Sequence, residues 1–108
     1  MKSVTYSNGV TLTYDETIEA GDIVTAYQKG WHRVIDVRPR ENSTPIIVYQ
    51  RLMDSSGKLV NSKVFLECDA SYCQKWDENF IDEHFANQVQ HFIETKDALK
   101  ALLRGSKK

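Results

Sequence analysis

The stretch that decides the fold runs from Gly21 to Leu66 and begins GDIVTAYQKGWHRVIDVRPR. Short apolar runs alternate there with turn residues, a pattern typical of strands in a small antiparallel sheet. The candidate strands are Ile23 to Gln28, Trp31 to Arg38, Ile46 to Met53 and Leu59 to Leu66. The short turn at Lys29-Gly30 joins the first two strands as a tight hairpin.

Two of these strands are apolar on both faces. Polar and apolar residues do not alternate in Ile46-Ile47-Val48-Tyr49. In the preceding strand, the adjacent apolar residues Val34 and Ile35 also interrupt the alternation. A central strand of a curled sheet buries both faces, whereas a flat sheet with one wet side alternates cleanly. Curling into a barrel also removes exposed strand edges. The sequence therefore predicts a small, strongly bent antiparallel β-barrel over residues 2–66.

The connecting segments agree with that prediction. Lys2 to Tyr6 and Val10 to Tyr14 alternate around Asn8-Gly9, a dipeptide that favours tight hairpin turns because it tolerates positive φ. The Pro39 to Pro45 segment is polar and bracketed by prolines, so we expect it to be exposed. Asp54 to Lys58 predicts a further hairpin loop.

The hydrophobic period changes after Trp76. Apolar residues then recur at steps of three and four, which marks one face of a helix that docks on the sheet: Phe80, Ile81, Phe85, Val89, Phe92 and Ile93. Asp77 is a candidate N-cap, and Gly105 follows Arg104 as a stop signal. Residues 77–104 are expected to form one helix or a helix pair with a break at Glu94 to Asp97. The fold class is thus α+β, in a single domain over 1–108.

Composition narrows the classes of function. Fourteen basic and fifteen acidic residues give a net charge of -1, whereas proteins that track a nucleic-acid backbone usually carry a basic excess. No apolar run has the length of a signal peptide or a membrane span, so a cytoplasmic location without a membrane partner is expected. Cys68 and Cys73 are expected to be free thiols in that reducing compartment.

The chain contains no motif of a catalytic site. Neither a Gly-x-Ser-x-Gly nucleophile motif nor a glycine-rich phosphate loop is present. Cys68 and Cys73 are separated by four residues and His84 and His91 by six, which does not match the spacing of zinc ligands. We expect a non-enzymatic protein without a cofactor and without catalytic or metal-binding residues.

The run Gly21-Asp22-Ile23-Val24-Thr25-Ala26-Tyr27, followed by Gly30-Trp31-His32-Arg33-Val34-Ile35-Asp36-Val37, resembles the opening of Tudor and Agenet domains. Those domains open with a Gly-Asp/Glu-x-Val-x-Ala strand, a short turn and a strand that begins with tryptophan. They belong to the SH3-like barrels, which bind peptide tails, methylated side chains or nucleic acid. The resemblance covers residues 21–66 and implies an SH3-like barrel that acts as a binding module.

The candidate partner-binding residues are aromatic and arginine side chains of the predicted barrel: Tyr27, Trp31, Arg33, Arg38, Arg40 and Tyr49. Trp31 follows the Gly30 turn, and alternation places Arg33 on the same strand face. The competing interpretation is that the aromatic rings pack the core. We expect an adaptor or stoichiometric inhibitor that docks on a larger protein. The alternative is a nucleic-acid-binding accessory protein that uses the basic strands and Trp31.

Overall fold

The computed structural model describes residues 1–85 and 93–106. Its architecture is α+β, with two antiparallel sheets and two α-helices. Strands β1 (Lys2–Thr5) and β2 (Thr11–Tyr14) form the predicted hairpin, with Gly9 at a φ of 86°. This hairpin forms a two-stranded sheet of its own, whereas a barrel over residues 2–66 required it to join the larger sheet.

The larger sheet has five strands in the order β6-β5-β4-β3-β7. These are β3 (Ile23–Thr25), β4 (Trp31–Arg38), β5 (Ile46–Met53), β6 (Leu66–Asp69) and β7 (Gln74–Lys75). Strands β4 and β5 have the predicted bounds, and β5 is an interior strand between β6 and β4, as its two apolar faces indicated. Among the described residues no strand ladder joins β6 to β7, so backbone pairing does not close the sheet into a barrel.

The five-stranded sheet is nevertheless strongly curved. Its two edge strands are joined by only four residues, which include the 3₁₀-helix Ala70–Tyr72. Four strand spacings in a flat sheet measure about 19 Å, whereas the five residue steps from Asp69 to Gln74 reach at most about 18 Å when fully extended. A 3₁₀-helix is shorter still. The two edges must therefore curl toward each other, forming a seam between β6 on one side and β3 and β7 on the other.

Two irregularities in the ladder between β4 and β5 assist this bend. The register shifts between Trp31 and His32 and again between Val34 and Asp36. Each shift places an extra residue on one strand, which increases the local twist and bends the sheet. The curvature is thus a property of the two long central strands as well as of the short link.

The predicted strand from Leu59 to Leu66 is wrong. Leu59 makes a single isolated bridge with Met53, and strand β6 begins only at Leu66. The Gln50 side chain donates a hydrogen bond to the Ser62 carbonyl over 2.6 Å. The Ser62 carbonyl thus accepts its hydrogen bond from a side chain, whereas in a continuous strand it would accept one from a backbone amide.

Two helices follow the sheet, α1 (Glu78–Phe85) and α2 (Ile93–Ser106). Asp77 caps α1 as predicted, because its Oδ1 accepts a hydrogen bond of 2.8 Å from the Phe80 amide. The predicted break at Glu94 to Asp97 is wrong, since these residues lie in the first turns of α2. No described helix is long and apolar enough to cross a membrane.

The sheet is buried on both faces, in two separate clusters. The helix-side core consists of residues from the sheet, the segment after β7 and both helices: Ile23, Met53, Trp76, Ile81, Phe85, Leu99 and Leu103. The opposite face carries Ile18, Val24, Val34, Ile47 and Ala70. Burial of Ile81 and Phe85 confirms part of the predicted helix face. Val89, Phe92 and the Ile93 side chain of that face lie outside the described residues.

Candidate binding groove

A groove of about 500 Å³ opens at the seam between the two sheet edges. Leu66 and Cys68 of β6 line one side, and Tyr27, just after β3, lines the other. Tyr72, just before β7, also lines it. The groove therefore exists because the short link from β6 to β7 draws these segments together.

Two tyrosines dominate the opening. Tyr27 is 84% exposed and Tyr72 is 62% exposed, yet their rings meet edge to face with centroids 6.2 Å apart. Edge-to-face geometry is a favourable arrangement for aromatic rings. The pair, called here the tyrosine gate, offers ring surface and two hydroxyl groups to solvent. Tyr27 was predicted as a binding residue, whereas Tyr72 was not.

Tyr49 and His32 support the groove from below. Tyr49 lines the groove but is only 2% exposed, and its ring packs on the fully buried ring of His32 at 4.6 Å. His32 Nε2 hydrogen-bonds to the Gln28 carbonyl over 3.0 Å, which anchors the segment that carries Tyr27. Burial lowers the pKa of His32, and the charge of Arg51 lowers it further. Burial likewise raises the pKa of Tyr49.

The charged residues in the groove lining are acidic. Glu67 and Asp69 line it, and none of its described lining residues is cationic. Arg38 Nη1 donates to Glu67 over 3.2 Å, and Arg40 Nη2 donates to Asp69 over 2.5 Å. The predicted site residues Arg38 and Arg40 thus lie beside the groove, where they hold its carboxylates.

The Pro39 to Pro45 segment is attached at this end of the groove. Arg40 Nε donates to the Thr44 carbonyl over 2.8 Å, and the Tyr6 hydroxyl of the N-terminal hairpin hydrogen-bonds to Ser43 over 3.0 Å. Residues 39–42 are exposed as expected, but Thr44 is fully buried. The segment is therefore braced against the hairpin as well as against β6.

Trp31 and Arg33 lie apart from the groove. The Trp31 ring packs against Trp76 and Phe85, at centroid distances of 5.5 and 6.5 Å, on the edge of the helix-side core. Arg33 is partly buried in the next position on the same face of β4. The structure thus brings Tyr27 and Tyr49 together with the Arg38 and Arg40 ion pairs, and separates them from Trp31 and Arg33.

The residues considered for a metal site are also dispersed. His84 packs against the Trp76 ring at 4.7 Å, while Cys68 and Cys73 lie in the seam. His91 lies outside the described residues. Within residues 1–85 and 93–106, no three histidine, cysteine or carboxylate side chains are grouped as metal ligands.

Comparison of the chain with protein-family models, with curated proteins and with solved structures gives no match.

Proposed function

We propose that this chain is a small, non-enzymatic interaction protein that binds an extended segment of a larger protein in the groove beneath the tyrosine gate. It would act as an adaptor or as a stoichiometric inhibitor. The observation that carries the proposal is the pair of exposed, mutually packed tyrosines over a preformed groove. Tyrosine is enriched where binding energy concentrates, because it supplies a large apolar surface with a polar tip.

The charges of the groove favour a segment that carries lysine or arginine beside an apolar residue. A cation is attracted to the face of an aromatic ring, by about 0.5–1 kcal/mol at exposed sites. Glu67 and Asp69 retain free lone pairs beyond their bonds to Arg38 and Arg40. Because the arginines already fix the positions of these carboxylates, binding of a segment orders few further side chains. The entropy cost of binding is therefore small.

The sheet supports the proposed relationship to SH3-like barrels. It is antiparallel and strongly bent. The strands that come first and last in chain order, β3 and β7, pair with each other. SH3-like barrels include modules that bind peptide tails, which agrees with an extended segment as the occupant. A cytoplasmic location is also part of the proposal, and cysteines in that reducing compartment remain thiols until an oxidant reaches them.

Binding of single-stranded nucleic acid is the competing function. Exposed tyrosines also stack on bases. However, Glu67 and Asp69 line the groove and would repel phosphates, while the adjacent arginines are engaged with these acids. These charges favour the protein segment.

Fluorescence anisotropy with four labelled probes tests the proposal. The probes are three short peptides of equal length, which are basic, acidic or neutral beside the same apolar residues, and a single-stranded DNA oligonucleotide. We expect the basic peptide to bind most tightly. Tyr27→Ala and Tyr72→Ala should each weaken its binding about tenfold or more, as expected for aromatic hot spots.

Phe65→Ala is the matched control, because Phe65 is 60% exposed and does not line the groove. It should leave the affinity unchanged. Equal binding by wild type and both tyrosine variants would contradict the proposal. Tight DNA binding that falls steeply with salt would instead establish the nucleic-acid function.

A further inference from the structure

The two cysteines meet at the seam below the tyrosine gate. Cys68 lies in β6, and Cys73 lies between the 3₁₀-helix and β7. Their Sγ atoms are 3.4 Å apart. The Cys73 amide donates to the Ala70 carbonyl over 3.0 Å, so the link is folded into a tight turn that holds both thiols together. The pair thus joins the two sheet edges that no described strand ladder connects.

This arrangement is close to that of a disulfide. A disulfide bond is about 2.05 Å long, so the sulfur atoms must approach by somewhat more than 1 Å, which side-chain rotation and a small movement of the short link supply. Cys68 also lines the groove and is therefore accessible to a small molecule. Cys73 does not line the groove and is placed to attack Cys68 from within the seam.

The two thiols differ in acidity. The hydrogen bond from the Cys73 thiol lowers the pKa of Cys68, while the same bond and burial raise the pKa of Cys73. Thiolate is the attacking species in thiol–disulfide exchange. Cys68, which lines the groove, is thus the first nucleophile, and Cys73, which does not line it, resolves the mixed disulfide.

We propose that Cys68 and Cys73 form a modification site, which a small disulfide of the glutathione class converts into an intramolecular disulfide bond. The Cys68 thiolate attacks one sulfur of the small disulfide, forms a mixed disulfide and releases one small thiolate. The Cys73 thiol loses its proton and attacks Cys68 Sγ, which releases the second small thiolate. Two protein thiols are oxidised by two electrons in total, and one small disulfide is reduced to two thiols that take up the two protons.

The bond also affects the groove, a consequence that rests on the proposed function. Cys68 and Tyr72 both line the groove, and Tyr72 directly precedes Cys73. Drawing the two sulfur atoms into bonding distance pulls the Tyr72 segment toward β6 and narrows the groove at the seam. The reduced protein is therefore the form that binds the basic segment, and the oxidised protein binds it less tightly.

Oxidation of the whole chain by glutathione disulfide tests the site itself. After alkylation of the remaining thiols, intact mass should show wild type without alkyl groups and without bound glutathione. Cys73→Ser should instead accumulate one glutathione on Cys68, because the resolving thiol is absent. Oxidised wild type should melt about 5 °C or more above the reduced form, since the bond constrains the unfolded chain. Wild type that keeps both thiols, or that retains glutathione, overturns the proposal.

Anisotropy with the labelled basic peptide tests the effect on the groove. Oxidised wild type should bind it several-fold more weakly than reduced wild type, whereas the double variant Cys68→Ser/Cys73→Ser should be insensitive to oxidant. Equal affinity of the two redox forms would overturn the coupling to the groove. If neither form binds the peptide, the proposed function fails, while the mass and melting measurements still decide whether the disulfide forms.

Discussion

The helix-side core and the tyrosine gate are built from similar rings and have different surroundings. Trp31 and Trp76 meet edge to face at 5.5 Å, and Tyr27 and Tyr72 meet in the same way at 6.2 Å. The first pair is packed beneath α1 and α2, whereas the second remains largely exposed. An aromatic pair thus contributes to stability or offers a binding surface according to whether another element covers it.

The largest effect is expected in the helix-side core. Phe85 is 7% exposed and packs against both tryptophans. Phe85→Ala should lower the free energy of unfolding by about 3–5 kcal/mol, because it removes a buried ring and leaves a cavity. Urea denaturation of the variant and wild type measures this. An unchanged midpoint would show that the helices do not cover this face.

The turn at Gly30 lies in the chain between Tyr27 of the tyrosine gate and Trp31 of the helix-side core. It should be the next most sensitive position. Gly30 has a φ of 93°, and an added Cβ would collide with the Met53 backbone carbonyl. Gly30→Ala should destabilise the protein by about 3 kcal/mol, through backbone strain and overpacking together. Gly9→Ala is the control, because Gly9 also has positive φ but has open space around it.

Gly9→Ala should lower the free energy of unfolding by about 1 kcal/mol, through backbone strain alone. Both free energies follow from urea denaturation under the same conditions. Equal costs at the two positions would mean that the Gly30 turn can move away from Met53.

Alanine substitutions of Trp31 and Tyr27 compare the two regions directly. Trp31→Ala should lower the free energy of unfolding by about 2–3 kcal/mol, less than a fully buried ring because Trp31 is only partly buried. Tyr27→Ala should change it by no more than about 0.5 kcal/mol, as is usual for an exposed residue. Thermal and urea unfolding measure both. If Trp31→Ala is as stable as wild type, Trp31 does not contribute to the core and is again a candidate binding residue.

The smallest expected effect is a dependence of stability on pH through His32. Its folded-state pKa is lowered from 6.5 by burial, so the unfolded chain binds more protons than the folded chain between that lowered value and about pH 6.5. Stability should therefore fall as the pH decreases through this window. His32→Gln should flatten the dependence, measured as the urea midpoint between pH 7.5 and 5.5. An equally steep dependence in the variant would exclude His32 as its source.

The candidate site shows how far local sequence patterns reach. Tyr27 was predicted as a partner-binding residue, and it lines the groove. Tyr72 was not predicted, because it lies in a one-turn 3₁₀-helix between two short strands and no periodic pattern marks it. Side chains alternate along β4 in the same way whether Trp31 faces a partner or a helix, so the alternation does not distinguish the two.

The sequence by itself determined the bounds of β4 and β5, the N-terminal hairpin, the Asp77 cap and the change to helical period after Trp76. These features depend on neighbours a few residues away, so alternation, turn residues and capping specify them locally. Only the tertiary structure decided that the two sheet edges meet at a seam and that the helices cover Trp31 but not Tyr27. Both outcomes depend on contacts between residues far apart in the chain, to which a local pattern of polarity is insensitive.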